Sequence, residues 1–384
     1  VKARHASTAL GAHAALVPDS LLKGAASLCR TLPGSAARQD LMPNPVMTRA
    51  VDAIADGRHM SADHAAAVLR EVMDGRASEV ETAAFLVALR TKGETVDEVE
   101  GLARTMRELA LPVEVDREPL VDTAGTGGGN PTFNVSTTAA FVAAAAGCAV
   151  AKHGNRSATG RSGSADVLEA LGARIDLEPG AVAECIATVG FGFMFAPAHH
   201  AAMRHVGPVR KALAVRTIFN FLGPLTNPAG ASRQLVGVSD PRYLETLAAA
   251  LGRLGAERAL VVSGSDGLDE VSASGPTQAV ELKDGVLDAV EITPEELGVE
   301  PIPRGSLDAC DPDESAACAR AVFRGEHGPE RSIVVLNAGA AIYLGGRADT
   351  LADGARAAEQ AIDSGAARET MERFVEKTRE LAPS

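Results

Sequence analysis

Leu120-Val-Asp-Thr-Ala-Gly-Thr-Gly-Gly-Gly-Asn-Pro-Thr-Phe-Asn-Val-Ser-Thr-Thr-Ala-Ala-Phe141 reads as a short strand that runs into a glycine loop and then into an Ala-rich helix. Gly125, Gly127, Gly128 and Gly129 can adopt positive φ and bring backbone N–H groups close to a ligand. The helix behind them points the positive end of its dipole at the same place, so the segment predicts an anion site. Asn134, Ser136 and Thr137 add side-chain donors, and either hydroxyl is a candidate cap for the helix. The loop has neither the G-K-[ST] of a P-loop nor the G-x-G-x-x-G of a dinucleotide turn. Taken alone, such a glycine run is equally an ordinary flexible turn.

Around this segment, short β-branched runs alternate with Gly-rich loops and Ala-rich helices. Strands are predicted at Leu120–Thr123, Ala149–Lys152, Leu235–Val238, Leu260–Ser263 and Ile333–Leu336. The alternation predicts an α/β domain over 112–384, with a central, mostly parallel sheet flanked by helices and ligands at the strands' carboxyl ends. The acidic, Pro-dotted stretch 281–332 reads as surface elaboration. Before it, 46–111 reads as a small all-helical domain, to which helices from about 200–230 are expected to join. Two capping boxes, Ser78-x-x-Glu81 and Thr95-x-x-Glu98, open helices there. Residues 1–45 are Ala/Ser-rich and acid-poor; they loosely match a transit peptide, but a flexible extension is the preferred reading.

Two further segments carry chemistry. Lys152-His-Gly-Asn-Arg-Ser-Ala-Thr-Gly-Arg-Ser-Gly-Ser164 follows a predicted strand, and from 152 to 216 eight Lys/Arg face five acids, within a chain whose net charge is −13. Cations interleaved with Gly, Ser and Thr suit phosphate, although basic loop residues are more often solvated surface. In Ser263-Gly-Ser-Asp-Gly-Leu-Asp-Glu-Val-Ser272, Asp269 and Glu270 could hold Mg²⁺, which needs only one or two carboxylates beside water and substrate phosphate. By themselves such acids are usually solvent-facing. His199, His200 and His205 lack zinc spacing and read as helix-surface or structural residues.

Composition narrows the rest. At 46% hydrophobic and 23% charged the chain is that of a globular protein, and 384 residues favour two domains or one large α/β unit. A net charge of −13 and 3% aromatic residues weigh against nucleic acid as a partner. No apolar run reaches the ~18–20 residues of a membrane span. Five cysteines without a C-x-x-C pair fit a reducing cytoplasm.

In register, G-T-G-G, N-V-S-T, K-H-G-N-R-S, S-G-S-A-D, V-R-K-A-L-A-V-R-T-I-F-N-F-L-G-P-L-T-N-P and G-L-D-E-V-S resemble the anthranilate phosphoribosyltransferases, from about residue 46 to 380. The resemblance implies a nucleoside phosphorylase/phosphoribosyltransferase-like fold, a cytoplasmic homodimer and a step of tryptophan biosynthesis. It implies phosphoribosyl pyrophosphate (PRPP) on Gly125, Gly127, Gly128, Gly129, Thr132, Asn134, Ser136, Thr137, Lys152, His153, Gly154, Asn155, Arg156, Ser157, Ala158, Thr159, Gly160 and Ser164. Anthranilate would meet Gly125, His153, Asn155, Arg210 and Pro224. Two Mg²⁺ ions would be held by Ser136, Asp269 and Glu270. Lys152, Asn155 and Arg210 would be catalytic. One departure is visible: the family loop reads G-T-G-G-D and runs longer, whereas here Gly129 replaces the acid and the loop is one residue shorter.

Two rivals are weaker. A pyrimidine nucleoside phosphorylase shares the general architecture, but Arg210, the L-G-P-L-T-N-P block and the Asp-Glu pair tell against it. A non-catalytic relative that binds nucleic acid is disfavoured by the charge and the intact motifs.

Overall fold

The structure is a computed structural model that describes residues 42–117, 119–157, 161–308 and 310–382. The expected N-terminal extension lies almost wholly outside them. Four helices come first: α1 (Pro45–Ala55), α2 (Ala62–Met73), α3 (Glu79–Lys92) and α4 (Val96–Glu108). Both capping boxes close. Ser78 Oγ accepts from the Glu81 N–H at 3.2 Å while Glu81 accepts from the Ser78 N–H at 2.8 Å, and Thr95 and Glu98 repeat the exchange. Each cap contributes about 1 kcal/mol. Gly101 lets α4 cross α2 so closely that a Cβ there would meet Ala62 O at 2.0 Å.

Then follow β1 (Leu120–Gly125), α5 (Val135–Ala145), β2 (Ala149–Gly154), α6 (Ser164–Leu171), α7 (Pro179–Val189), β3 (Phe191–Phe195), α8 (Ala196–His199), α9 (Gly207–Leu213) and α10 (Phe219–Leu225). After them come β4 (Arg233–Gly237), α11 (Leu244–Arg253), β5 (Arg258–Gly264), β6 (Thr277–Lys283), β7 (Val286–Ile292), α12 (Pro312–Phe323), α13 (Pro329–Leu344), α14 (Leu351–Asp363) and α15 (Ala366–Leu381). The seven-stranded sheet has the order β3-β2-β1-β4-β5-β6-β7. The first five strands run parallel and β6 and β7 are antiparallel. The chain winds outward from β1 to β3, then returns to lay β4 on the other side of β1. A reversal of that kind opens a crevice at the strands' carboxyl ends.

One buried cluster joins Leu86, Leu89 and Leu102 of the helical segment to Val209, Ile218, Phe219 and Leu222. A second surrounds α5, where Phe141 stacks on Phe191 at 4.1 Å and meets Phe323 and Phe374 edge-on. Among the described residues no helix is long and apolar enough to cross a membrane.

Three readings are corrected. Ile333–Leu336 belongs to α13, in which every residue from Ile333 to Leu344 is buried; a helix without a polar face shows no 3.6-residue period. The stretch 281–332 contains most of the β6–β7 hairpin, not mere elaboration. β3, Phe-Gly-Phe-Met-Phe, was absent from the predicted strands. Its Gly192 sits where a Cβ would meet Ile186 at 2.5 Å, so α7 packs directly on the strand.

Candidate active site

Gly125 ends β1 and Gly237 ends β4, so both lie at the switch point. The turn after β5 closes over them. A Cβ on Gly237 would meet Asp269 O at 1.7 Å, and one on Gly125 would meet Asp269 Oδ2 at 2.4 Å; only glycine permits the approach. The Gly127 N–H donates to Asp269 Oδ2 at 2.8 Å, and the Asn130 N–H to Gly267 O at 2.9 Å. The Arg216 guanidinium donates to the Gly127 carbonyl. Gly127 and Gly128 have φ of 66° and 81°. The departure at Gly129 has a local cause: a Cβ there would meet Gly267 O at 2.7 Å, so the shortened loop rests on the acidic turn where a side chain would stand.

Neither Ser136 nor Thr137 caps α5, contrary to expectation; Asn134 is the N-cap residue and makes no side-chain cap bond. Asn134 instead holds two loops together. Its N–H donates to Ser315 Oγ at 2.9 Å, and its Oδ1 accepts from Ser315 Oγ at 2.7 Å and Ser162 Oγ at 2.6 Å. The Oγ1 atoms of Thr126, Thr132 and Thr137 are buried without a protein partner. Orphaned hydroxyls beside a glycine loop suit an oxygen-rich ligand.

Lys152, two residues before the end of β2, is buried, and its ammonium donates to Thr123 O and lies 3.3 Å from Ser136 Oγ. Burial holds its pKa below the usual lysine range, opposed by Asp122 and Glu270. Glu270 accepts from the Ser136 N–H, and burial with the adjacent Asp269 pushes its carboxyl up to about 8. Asp269 is likewise raised by burial. Among the described residues no three His, Cys, Asp or Glu side chains gather as a metal cage. Two crowded carboxylates fit Mg²⁺, which completes its shell with water and phosphate.

His153 donates from Nδ1 to Gly223 O at 3.1 Å, which assigns its tautomer, and leaves a buried Nε2 acceptor without a partner. Burial and the neighbouring His200, 5.2 Å away between ring centroids, push His153 down to about 3, so the ring is neutral. His199 and His200 are buried, and His199 Nδ1 meets Leu111 O at 2.9 Å, a structural role rather than a helix surface. Pro224 is buried one residue after Gly223 on α10. Arg210 on α9 lies over the Phe219 ring at 5.6 Å, and burial lowers its pKa. No carboxylate pairs with it among the described residues.

A Cβ on Gly154 would meet Phe193 at 2.8 Å and Ser164 Cβ at 2.9 Å, so β2 ends hard against α6. Asn155 is exposed, and its Oδ1 accepts from the Arg156 N–H at 2.7 Å. The Arg156 guanidinium turns to Asp166 and Glu169. Asp166 also accepts from the N–H groups of Ser157 at 3.1 Å and Gly163 at 2.9 Å, fixing both ends of the loop. Ala158, Thr159 and Gly160 lie outside the described residues.

Sequence reasoning missed several partners. Asp122 is fully buried on β1, where Oδ1 accepts from the His153 N–H at 3.2 Å and Oδ2 from Asn227 Nδ2 at 2.7 Å. An acid amid an apolar strand was the available signal. Arg216 and Ser315 gave none, since their partners are distant in sequence.

A helical bundle preceding an α/β sheet, with glycine, basic and acidic loops meeting at the switch point, defines a glycosyltransferase. Residues 48–110 match the helical bundle domain of the glycosyl transferase family and 117–368 its a/b domain. An anthranilate phosphoribosyltransferase of Symbiobacterium thermophilum is 51% identical over 329 residues, 85% of this chain and 96% of that protein. One of Methylibium petroleiphilum is 52% identical over 336 residues, 87% and 98% of the two chains. The crystal structure of the Thermus thermophilus enzyme superposes with a TM-score of 0.81 at 47% identity, covering 86% of this chain and 99% of that one. The Saccharomyces cerevisiae enzyme in complex with PRPP and Mg gives 0.80 at 25% identity, covering 88% and 98%. The chain belongs to the anthranilate phosphoribosyltransferase family.

Proposed function

We propose that this chain transfers the phosphoribosyl group of PRPP to the amine of anthranilate, giving N-(5-phosphoribosyl)anthranilate and pyrophosphate, within tryptophan biosynthesis. The observation that carries the reading is the meeting of the glycine loop, Lys152 and the acidic pair at one crevice: Gly127 bonds Asp269, Lys152 reaches Ser136, and Ser136 bonds Glu270. PRPP occupies the cradle of Gly125, Gly127–Gly129, Thr132, Asn134, Ser136, Thr137, Lys152–Ser157 and Ser164, with the orphaned threonines as donors. Asp269 and Glu270, two crowded buried carboxylates, would hold the Mg²⁺. The Ser136 N–H serves Glu270, while Lys152 sits at the Ser136 hydroxyl. The bound metal supplies charge neutralisation for the departing pyrophosphate.

The protein's share of the reaction is placement. An aromatic amine is neutral at pH 7 and attacks C1 with little help from a base, so in-line positioning and leaving-group stabilisation dominate. Arg210 takes the anthranilate carboxylate, for which a guanidinium fork is suited. The Nε2 of neutral His153 accepts an N–H of the amine, with Pro224 and Asn155 bounding the ring. The lysine and the loop amides surround the phosphates, and no covalent enzyme intermediate is required. Anthranilate fluoresces, so its signal should decay only when PRPP and Mg²⁺ are both present; decay without PRPP, or none with both, would refute the assignment.

Two further readings go with this function. The helical segment forms a homodimer, supported by Val80, Ala84 and Val87, which lie exposed on one face of α3. The chain works in a reducing cytoplasm, supported by Cys148, Cys185, Cys310 and Cys318, all free thiols.

A further inference from the structure

A cavity of about 600 Å³ opens between α6, α12 and α15, and it shares no residue with the candidate active site. Phe323 and Met371 form its apolar floor, and Arg320, Arg324, Arg368 and Arg379 ring it against Glu372 and Glu376. The volume is that of an ordinary small-molecule site. Two of the guanidiniums are fixed in place: Arg320 donates to Ala170 O at 2.9 Å and Arg379 Nε to Gly172 O at 2.8 Å, both at the carboxyl end of α6. Each retains further N–H groups. Arg324 pairs with Glu326 at 2.6 Å and Arg368 lies 4.0 Å from Glu372; these are exposed pairs that hold weakly against a better anion. Cations around an apolar floor select a molecule with an acidic head and an apolar body.

Both walls also reach the phosphate loops. At the other end of α6, about 12 Å away, Asp166 fixes Ser157 and Gly163. Along α12, the same helix that carries Arg320 and Phe323 carries Ser315, bonded to Asn134 behind the glycine loop. We propose that this cavity is a second ligand site, for a small amphiphilic carboxylate or sulfonate, and that its occupant changes PRPP affinity through α6 and α12. The coupling rests on the PRPP assignment; the binding does not.

The probe is 8-anilinonaphthalene-1-sulfonate, whose fluorescence rises in apolar surroundings, titrated into the full chain. The controls are Arg324→Ala with Arg368→Ala, which strips two exposed cations, and Val375→Trp, which fills the cavity. One saturable site is expected, weakened at least about tenfold in both variants, with kcat unchanged in the Arg variant. Saturating probe should shift the PRPP KM at least about threefold in the parent and not in the variants, read by pyrophosphate release. The tenfold loss is that of a charge-assisted hydrogen bond, and the threefold threshold is set just below the ~5-fold lower end of typical coupling. No saturable binding, or equal affinity in all three proteins, overturns the site. Variant-sensitive binding with an unchanged PRPP KM overturns the coupling. Should the chain not consume PRPP at all, the functional reading fails while the titration still decides the site.

Discussion

Arg210 keeps a full positive charge over the face of Phe219 with no acidic partner among the described residues, a costly arrangement unless a ligand supplies the anion. Charge-assisted hydrogen bonds contribute roughly 1.5–3 kcal/mol. Arg210→Ala should therefore lower kcat/KM for anthranilate by about 10- to 100-fold, with the PRPP KM changed far less. Equal losses in both substrates would remove Arg210 from the carboxylate. A different residue-scale consequence follows from His200, buried and pushed down to about 4. The unfolded chain takes up the proton first, near pH 6.5, so stability is intact above that pH and falls as the pH drops toward the folded value. By pH 5 the loss is about 2 kcal/mol for one such histidine. Urea midpoints measured from pH 7.5 to 5 should fall less steeply for His200→Gln than for the parent, and parallel curves would contradict the assignment.

Among the elements, the ends of β1 and β4 show most directly how backbone geometry makes the site. Gly237→Ala would drive a Cβ into Asp269 O, so the whole acidic turn must shift. Overpacking of this kind typically costs about 1–3 kcal/mol. Differential scanning should show a lower Tm and a diminished rise on adding Mg²⁺. Gly180→Ala in α7, where a Cβ meets nothing within 4 Å, should leave both unchanged or slightly improved. An intact Mg²⁺ response in Gly237→Ala would separate that turn from the metal. This dependence on close backbone approach also explains what the sequence disclosed. The β1–loop–α5 unit was legible because its strand, glycines and helix each carry a local signature. Asp269 and Glu270 were legible only in company, since an acidic pair in a turn says nothing alone. Arg216 and Ser315 stayed hidden because their partners lie far along the chain, Arg216 binding a carbonyl 89 residues away and Ser315 an asparagine 181 away, whereas Asp122 carried a local signal as an acid within an apolar strand. α13 was misread for the opposite reason: burial on every side removed the period that separates helix from strand.

For the molecule as a whole, the unbalanced surface is that of α3. Its inner face buries Thr82, Phe85, Leu86 and Leu89, while Val80 and Val87 are 79% and 42% exposed on the outside, with the exposed Ala84 between them. A helix apolar on both sides needs a second partner, and in a chain of net charge −13 an apolar stripe is the natural place for two like-charged copies to meet. Carboxylates on that stripe would oppose each other across a two-fold axis. Val80→Glu with Val87→Glu should therefore convert the proposed dimer to a monomer in sedimentation equilibrium at micromolar concentration, with the far-UV circular dichroism unchanged. All the residues placed at the crevice come from one chain, so the monomer should keep its anthranilate KM within about threefold, a change of well under 1 kcal/mol. A dimer that survives both substitutions would locate the interface elsewhere. A monomer that loses anthranilate affinity would mean that the neighbouring copy holds α9 and α10 in place, since both pack on the same helical cluster as α3.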